Sequence, residues 1–179
     1  MRFFFTRRLP QPRRVLLIES GSRYLLEGLI PGLRATYPAV PIDLLTCYAG
    51  LPAGFDAGTI VYRVTDYPGR QGRQRLYRQL AAHRYQVAGI VCSDEPVLTK
   101  WKLALAALLP AKVFVLNENG DYFWLDYAHW PSIRHFVLFR AGLAGAGAVR
   151  TLARLFLFPF TLLYLLLYAS VVHLRKALR

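Results

Sequence analysis

Cysteine is nearly absent from this chain: two in 179 residues, Cys47 and Cys92. Two thiols at the ends of apolar runs exclude a disulfide framework, fit a reducing compartment, and read first as small buried residues. No GxGxxG and no Walker lysine occurs, which argues against a bound dinucleotide or a P-loop. Only His129 and His135 lie near the acids after residue 117, without the ligand spacing of a zinc site, so no metal is expected. No Ser/His/Asp or Cys/His arrangement can be assembled. Acids are also scarce, ten against 23 Lys and Arg, for a formal net charge of +13. A chain this basic invites nucleic acid, but no helix-turn-helix, zinc-finger or RNA-binding aromatic signature accompanies the charge, and nucleic acid is not the expected partner.

What the chain does have is apolar residues. They make up 55% of it, and the mean hydropathy is +0.28. Apolar and basic character together point to an anionic membrane surface, where each Lys or Arg near lipid is worth about 1 kcal/mol. The length allows one domain with a core plus an appendage. Residues 1–14 (MRFFFTRRLPQPRR) lack the 7–15-residue apolar stretch of a secretory signal. They read as a basic aromatic arm, either touching a membrane interface or forming a disordered leader.

From residue 15 the pattern alternates. Strands are expected at 15–20, 42–47, 59–64, 85–93 and 112–117. Helices are expected at 22–38, 68–84 and 97–110. In the first helix Tyr24, Leu25, Leu29 and Leu33 share a face, and Pro31 with Gly32 should kink it or start a new turn. Leu76, Tyr77, Leu80 and Ala81 form the inner side of the second helix. The connection between strands two and three, Gly- and Pro-rich over 50–58, has no evident helix. Strands apolar on both faces, alternating with helices, imply a parallel sheet covered on both sides. The expected fold class is α/β: a Rossmann-like three-layer sandwich of about five parallel strands over residues 15–126.

Residues 127–179 differ. The segment 155–174 has no formal charge with His173 neutral, and as a helix it would measure about 30 Å, one hydrocarbon core. Arg150 and Arg154 flank one end, and Arg175, Lys176 and Arg179 the other. Tyr164 and Tyr168 share a face, and Pro159 should kink the first turns. Residues 133–149 are apolar and rich in small residues (Ala141, Gly142, Ala144 to Ala148), which permit close helix contact in lipid. A single span would export the basic tail, against the positive-inside tendency. Basic flanks at both ends suit a re-entrant hairpin or an interfacial helix better. The span and a buried soluble helix stay open.

In an open parallel sheet, ligands sit beyond the carboxyl ends of the strands. Three stretches fall there. In the first, Glu19, Ser20, Gly21, Ser22 and Arg23, Gly21 allows a tight turn. Ser22 would cap the helix and leave its amides facing an anion; the plain reading is a strand-to-helix turn. In the second, Cys92, Ser93, Asp94, Glu95 and Pro96 after strand four, the two acids precede a helix and either suit its dipole, bind a hydroxylated substrate or provide a base. In the third, Asn117, Glu118, Asn119 and Asp121 end the last strand, and Tyr122, Phe123 and Trp124 look like rings for a lipid–water interface. The Arg-rich helix (Arg70, Arg73, Arg75, Arg78, Arg84) reads as a solvated face or one turned to anionic lipid or a sugar phosphate.

The opening through LRATYPAVPIDLL, with HRYQVAGIVCS and TKWKLALAALLPAK further on, resembles the N-terminal half of heptosyltransferase-like glycosyltransferases of the GT-B type over residues 14–117. That family carries a Gly-Asp pair in the first loop, its Asp the presumed base. Here residues 22–25 hold no acid, and Glu19 and Glu27 are off-register. The donor-binding second domain is replaced by the apolar segment. The resemblance therefore implies an acceptor-side half anchored at the cytoplasmic face of a bacterial inner membrane. It would act on or present a lipid-linked or envelope glycan, with a nucleotide-sugar donor supplied through a partner chain. In that role Glu19, Asp94 or Glu118 would be the base, and Arg23 a phosphate contact. Ser20, Gly21, Ser22, Glu95, Asn117, Asn119 and Asp121 would bind substrate. The other expectation is a non-catalytic subunit of a larger membrane assembly, since fold alone does not determine function.

Overall fold

The computed structural model of the chain describes residues 3–6, 9–56, 58–93, 95, 97–144 and 148–177. Two compact units divide it, Met1–Trp130 and Pro131–Arg179.

The first unit is a six-stranded sheet in the order β3-β2-β1-β4-β5-β6. β1 (Val15–Glu19), β2 (Ile42–Thr46) and β4 (Val87–Cys92) are apolar runs, and nearly every residue in them is buried. β3 (Val61–Arg63) is shorter than the expected 59–64, because residues 64–66 turn into a short 3₁₀ segment. β1 to β5 are parallel. α1 (Arg23–Thr36) covers one face through Leu25, Leu26 and Ile30, with Leu29 and Leu33 half-buried. Tyr24 is 63% exposed, so it lies off the inner stripe. The helix runs on through Pro31. α2 (Gly69–Ala82) and α3 (Thr99–Leu108) cover the other face through Leu76, Leu80 and Leu105, and Ala81 faces water. The described residues of the β2–β3 connection form no helix. Each fully buried Leu or Ile contributes about 1.5–3 kcal/mol, and these two apolar clusters are the main force holding the layers together. The Rossmann-like α/β architecture is as the alternation implies.

β5 (Lys112–Asn117) is followed by a strand that the periodicity did not resolve. β6 (Tyr122–Trp124) pairs antiparallel with β5, Val115 opposite Phe123. The rings read as an interfacial belt are thus an edge strand, with Trp124 edge-on to Phe114 at 5.5 Å. A three-residue strand shows too little alternation to stand out from an aromatic cluster.

The described residues of the arm are folded onto the domain. Phe3 and Phe4 line a small crevice with Ala106, Ala111, Val113 and Leu125. Tyr127 N donates to Phe4 O at 2.9 Å. Lys112 Nζ, fully buried, donates to Thr6 O at 2.5 Å and to Asp126 Oδ2 at 2.6 Å. Asp126 Oδ1 also accepts from His129 N at 3.1 Å.

The second unit holds most of α4 (Trp130–Arg140) and all of α5 (Ala148–Ala177). Ala148–Val171 is long and apolar enough to cross a membrane, with mean hydropathy 1.8 and none of its window buried. At 1.5 Å per residue, α5 is about 45 Å long. It begins seven residues before the apolar core at 155, taking in Arg150 and Arg154. Tyr164 and Tyr168 stack with centroids 6.4 Å apart, as their spacing of four requires. The small residues Gly145, Ala146 and Gly147 lie outside the described residues.

Candidate functional site

The sheet order reverses between β1 and β4, and the loops leaving these two strands meet at their carboxyl ends. Gly21 packs on Ser93: a Cβ there would lie 2.2 Å from Ser93 Oγ and 3.0 Å from Val91 Cγ1. Glycine is required at 21 by this close approach, not by a left-handed turn. Ser20 is buried, and its hydroxyl donates to Val91 O. Ser22 occupies the N-cap position of α1, yet its side chain makes no cap hydrogen bond. Its Oγ donates instead to Glu95 Oε1 at 2.5 Å, across the two loops. The expected serine cap is therefore replaced by a loop-to-loop contact.

Glu19 ends β1 directly beside Thr46, its register partner at the end of β2. Its carboxylate is fully buried and accepts from Thr46 Oγ1 and from Arg23 Nε at 2.7 Å. Arg23 also donates to Ala49 O at 3.1 Å and sits 5.8 Å over the Tyr48 ring. The hydrogen bond to Glu19 raises the Arg23 pKa above its ordinary value. The guanidinium is a third exposed, so one side of it still faces solvent while the other neutralises a buried acid. Burial pushes the Cys47 thiol up, away from a reactive thiolate.

Ser93 is 7% exposed, and its Oγ is the buried side-chain polar atom without a hydrogen-bond partner among the described residues. An orphaned buried hydroxyl costs about 1–3 kcal/mol, unless something outside the chain satisfies it. Asp94, named from the sequence with Glu95, lies outside the described residues.

The third stretch forms a turn of its own between β5 and β6. Asn117 Oδ1 accepts from Asn119 N at 3.0 Å and from Asp121 N at 2.9 Å, an Asx-type turn that closes the β5–β6 hairpin. Gly120 stands at φ +83° in that turn, a conformation that favours glycine. Glu118, Asn119 and Gly120 border a shallow groove against Tyr24 and Gly28 of α1. The turn is therefore set beside α1, two strands from Glu19.

Thr46 and Tyr48 belong to the cluster and were not singled out from the sequence, and Ser93 lay within the second stretch without a role of its own. Thr46 was findable, because parallel pairing of β1 and β2 puts the residue ending one strand beside the residue ending the other. Ser93 had no local signal, since its importance comes from burial against Gly21. A separate apolar cavity of about 330 Å³ lies toward the amino ends of the strands, lined by Leu9, Pro10, Val15, Leu33, Val87 and Trp124 among others. It shares no residue with the polar cluster. Among the described residues no three His, Cys, Asp or Glu side chains group as a metal site.

No protein-family model matches the chain, and no curated protein matches it. Among solved structures it is similar to the crystal structure of UDP-D-quinovosamine 4-dehydrogenase from Vibrio fischeri. The identity is 18% and the TM-score 0.44, over 66% of this chain and 97% of that one. At that distance no activity is inferred from the likeness. The heptosyltransferase-like resemblance gains no support from these comparisons, and the Rossmann-like fold stands on the chain's own sheet topology.

Proposed function

We propose that this chain is a membrane-anchored, glycosyltransferase-like binding domain. It holds the polar head of a lipid-linked or cell-envelope glycan at the carboxyl edge of its sheet and presents it to a partner chain. The observation that carries the reading is the orphaned Ser93 hydroxyl beside Gly21, where the β1 and β4 loops converge. Hydroxyls, a partly exposed guanidinium, an exposed carboxylate (Glu95) and the Tyr48 ring are the groups that recognise a hydroxylated or phosphorylated ligand. α5 supplies the anchor, and the cytoplasmic face of a bacterial inner membrane is its proposed place.

Presentation is favoured over catalysis by the state of the acids. Glu19 is buried beneath Arg23 and Thr46, so service as a base would require breaking its ion pair. Arg23 is correspondingly only partly available to a phosphate. A nucleotide-sugar donor would then enter through the partner. The same burial favours the second reading, a purely structural subunit of a membrane assembly.

The test is calorimetric titration of the detergent-purified full chain with short-chain polyprenyl-phosphate glycans and with nucleotide sugars. Binding of the glycan head, weakened about 10-fold by Ser93→Ala, is expected; tenfold corresponds to one lost hydrogen bond. Absence of binding by either ligand class, alone or with co-purified chains, would leave the structural-subunit reading standing.

A further inference from the structure

Beyond its first turn α3 is apolar all round (LALAAL, 103–108), and a helix of that kind is normally buried. Here Leu105 and Leu109 face the sheet, while Leu103 and Leu108 are 68% and 63% exposed. α2 packs on the same side of the sheet, with Tyr77 and Trp101 5.8 Å apart across the two helices. The two helices carry Arg70, Arg73, Arg75, Arg78, Lys100 and Lys102 and no acid. None of Arg70, Arg73 and Arg78 is in an ion pair among the described residues. Arg75 donates to the backbone of Asp66 and lies 5.2 Å over the Tyr67 ring. Asp66 and Glu95, in the segments that follow β3 and β4, stand at the carboxyl rim of this layer, where Glu95 is engaged by Ser22.

We infer that the outer face of the α2–α3 layer lies on an anionic bilayer. Cations alone would fit nucleic acid, and exposed leucines alone would fit a protein partner. Cations interleaved with exposed leucines fit a membrane surface, where guanidinium and ammonium groups meet headgroup phosphates and leucines enter the acyl boundary. The chain carries its own membrane-length helix, so the surface is present at high effective concentration. One helix diameter, about 10 Å, then separates the sheet from the headgroups. The sheet lies flat over the membrane, and its carboxyl edge opens sideways about one helix diameter above the headgroups. The inference concerns a different surface from the Ser93 cluster and stands or falls without it.

The experiment uses the full chain in lipid discs of phosphatidylcholine, with or without phosphatidylglycerol. Cys47 and Cys92 are changed to alanine, and a nitroxide is placed by Gln74→Cys on α2 or by Gly28→Cys on α1. Gly28 has open space around its Cβ, so the label fits there. The Gln74 label is expected at headgroup depth in anionic discs and in water in zwitterionic discs or at high salt, while the Gly28 label stays in water throughout. R70E/R73E/R78E should lower the docked fraction roughly 100-fold, with α5 still holding the chain in the disc and the melting temperature unchanged. A Gln74 label that stays in water in anionic discs, or sits equally deep in every lipid, overturns the inference. So does a triple variant whose only defect is weaker binding of a fluorescent oligonucleotide, which would assign the face to nucleic acid. Protection of the face by a co-purified protein chain, with no protection by anionic lipid, overturns it in favour of a protein partner.

Discussion

The two edges of the sheet treat their polar side chains in opposite ways. At the amino edge every buried charge is matched from within the chain. Lys112 is held by Asp126 and by Phe3 and Thr6 carbonyls. Asp43, fully buried in β2, accepts from Arg14 Nε at 2.5 Å, Tyr85 OH at 2.7 Å and Ile60 N at 3.1 Å. Burial, then the hydrogen bonds to Asp43 and Tyr62, keep the Tyr85 phenol protonated far above its ordinary range. At the carboxyl edge the set of partners is incomplete: Ser93 has none among the described residues, and Glu95 reaches across a loop for its own. Polar groups matched internally build a fold, and a buried group left unmatched is the observation on which the proposed binding site rests.

Breaking one member of an amino-edge pair should do the most damage. Asp126→Asn strands a fully buried ammonium and is expected to cost about 3–5 kcal/mol in chemical unfolding of the full chain, whereas K112M/D126L should recover most of that loss. Asp43→Asn should follow at about 2–3 kcal/mol, from Arg14 and Tyr85 together, in the same assay. At the carboxyl edge Glu19→Gln should cost only about 1–2 kcal/mol, because Arg23 is partly solvated and can turn to water. Ser93→Ala should be neutral or slightly stabilising, since it removes an orphaned hydroxyl, while still weakening ligand binding. A destabilisation above about 2 kcal/mol by that change would place Ser93 among the structural residues and erase the contrast between edges.

The contrast also has a pH dependence. Burial works to raise the Asp126 carboxyl, but Lys112 and His129 outweigh it, and its pKa lies below the ordinary 3.8. A group lowered on folding stabilises the native state fully above its unfolded value and loses that contribution as pH falls through its folded value. Acid unfolding followed by tryptophan fluorescence should therefore begin below about pH 4, and Asp126→Asn should flatten that limb.

Much of the architecture could be read before any coordinates. The runs VLLIES, IDLLT and KVFVL are apolar on both faces, which only a doubly covered parallel sheet accommodates. Leu76 and Leu80 marked the buried side of α2, and the helix-free β2–β3 connection was visible in its Gly and Pro residues. Boundaries drifted where backbone pairing decides them: β3 shrank to three residues, and β6 came from cross-strand bonds with β5. The candidate site was legible by position, at strand ends, but only partly by chemistry. Glu19 could be named from its place, yet its burial under Arg23 depends on a side chain four residues on and on Thr46 from the next strand. Asn117 could be named as a strand-end polar residue, but the turn closed by its amide oxygen on Asn119 N and Asp121 N was not read from the sequence.

The sequence by itself determined the layer order, the basic charge and the apolar reach of 155–174, since these follow from periodicity, composition and length. Tertiary structure alone decided which polar groups are satisfied. Hydrogen bonding depends on ångström-scale approach between residues far apart in the chain, as between Gly21 and Ser93, and no local pattern of residues encodes that distance.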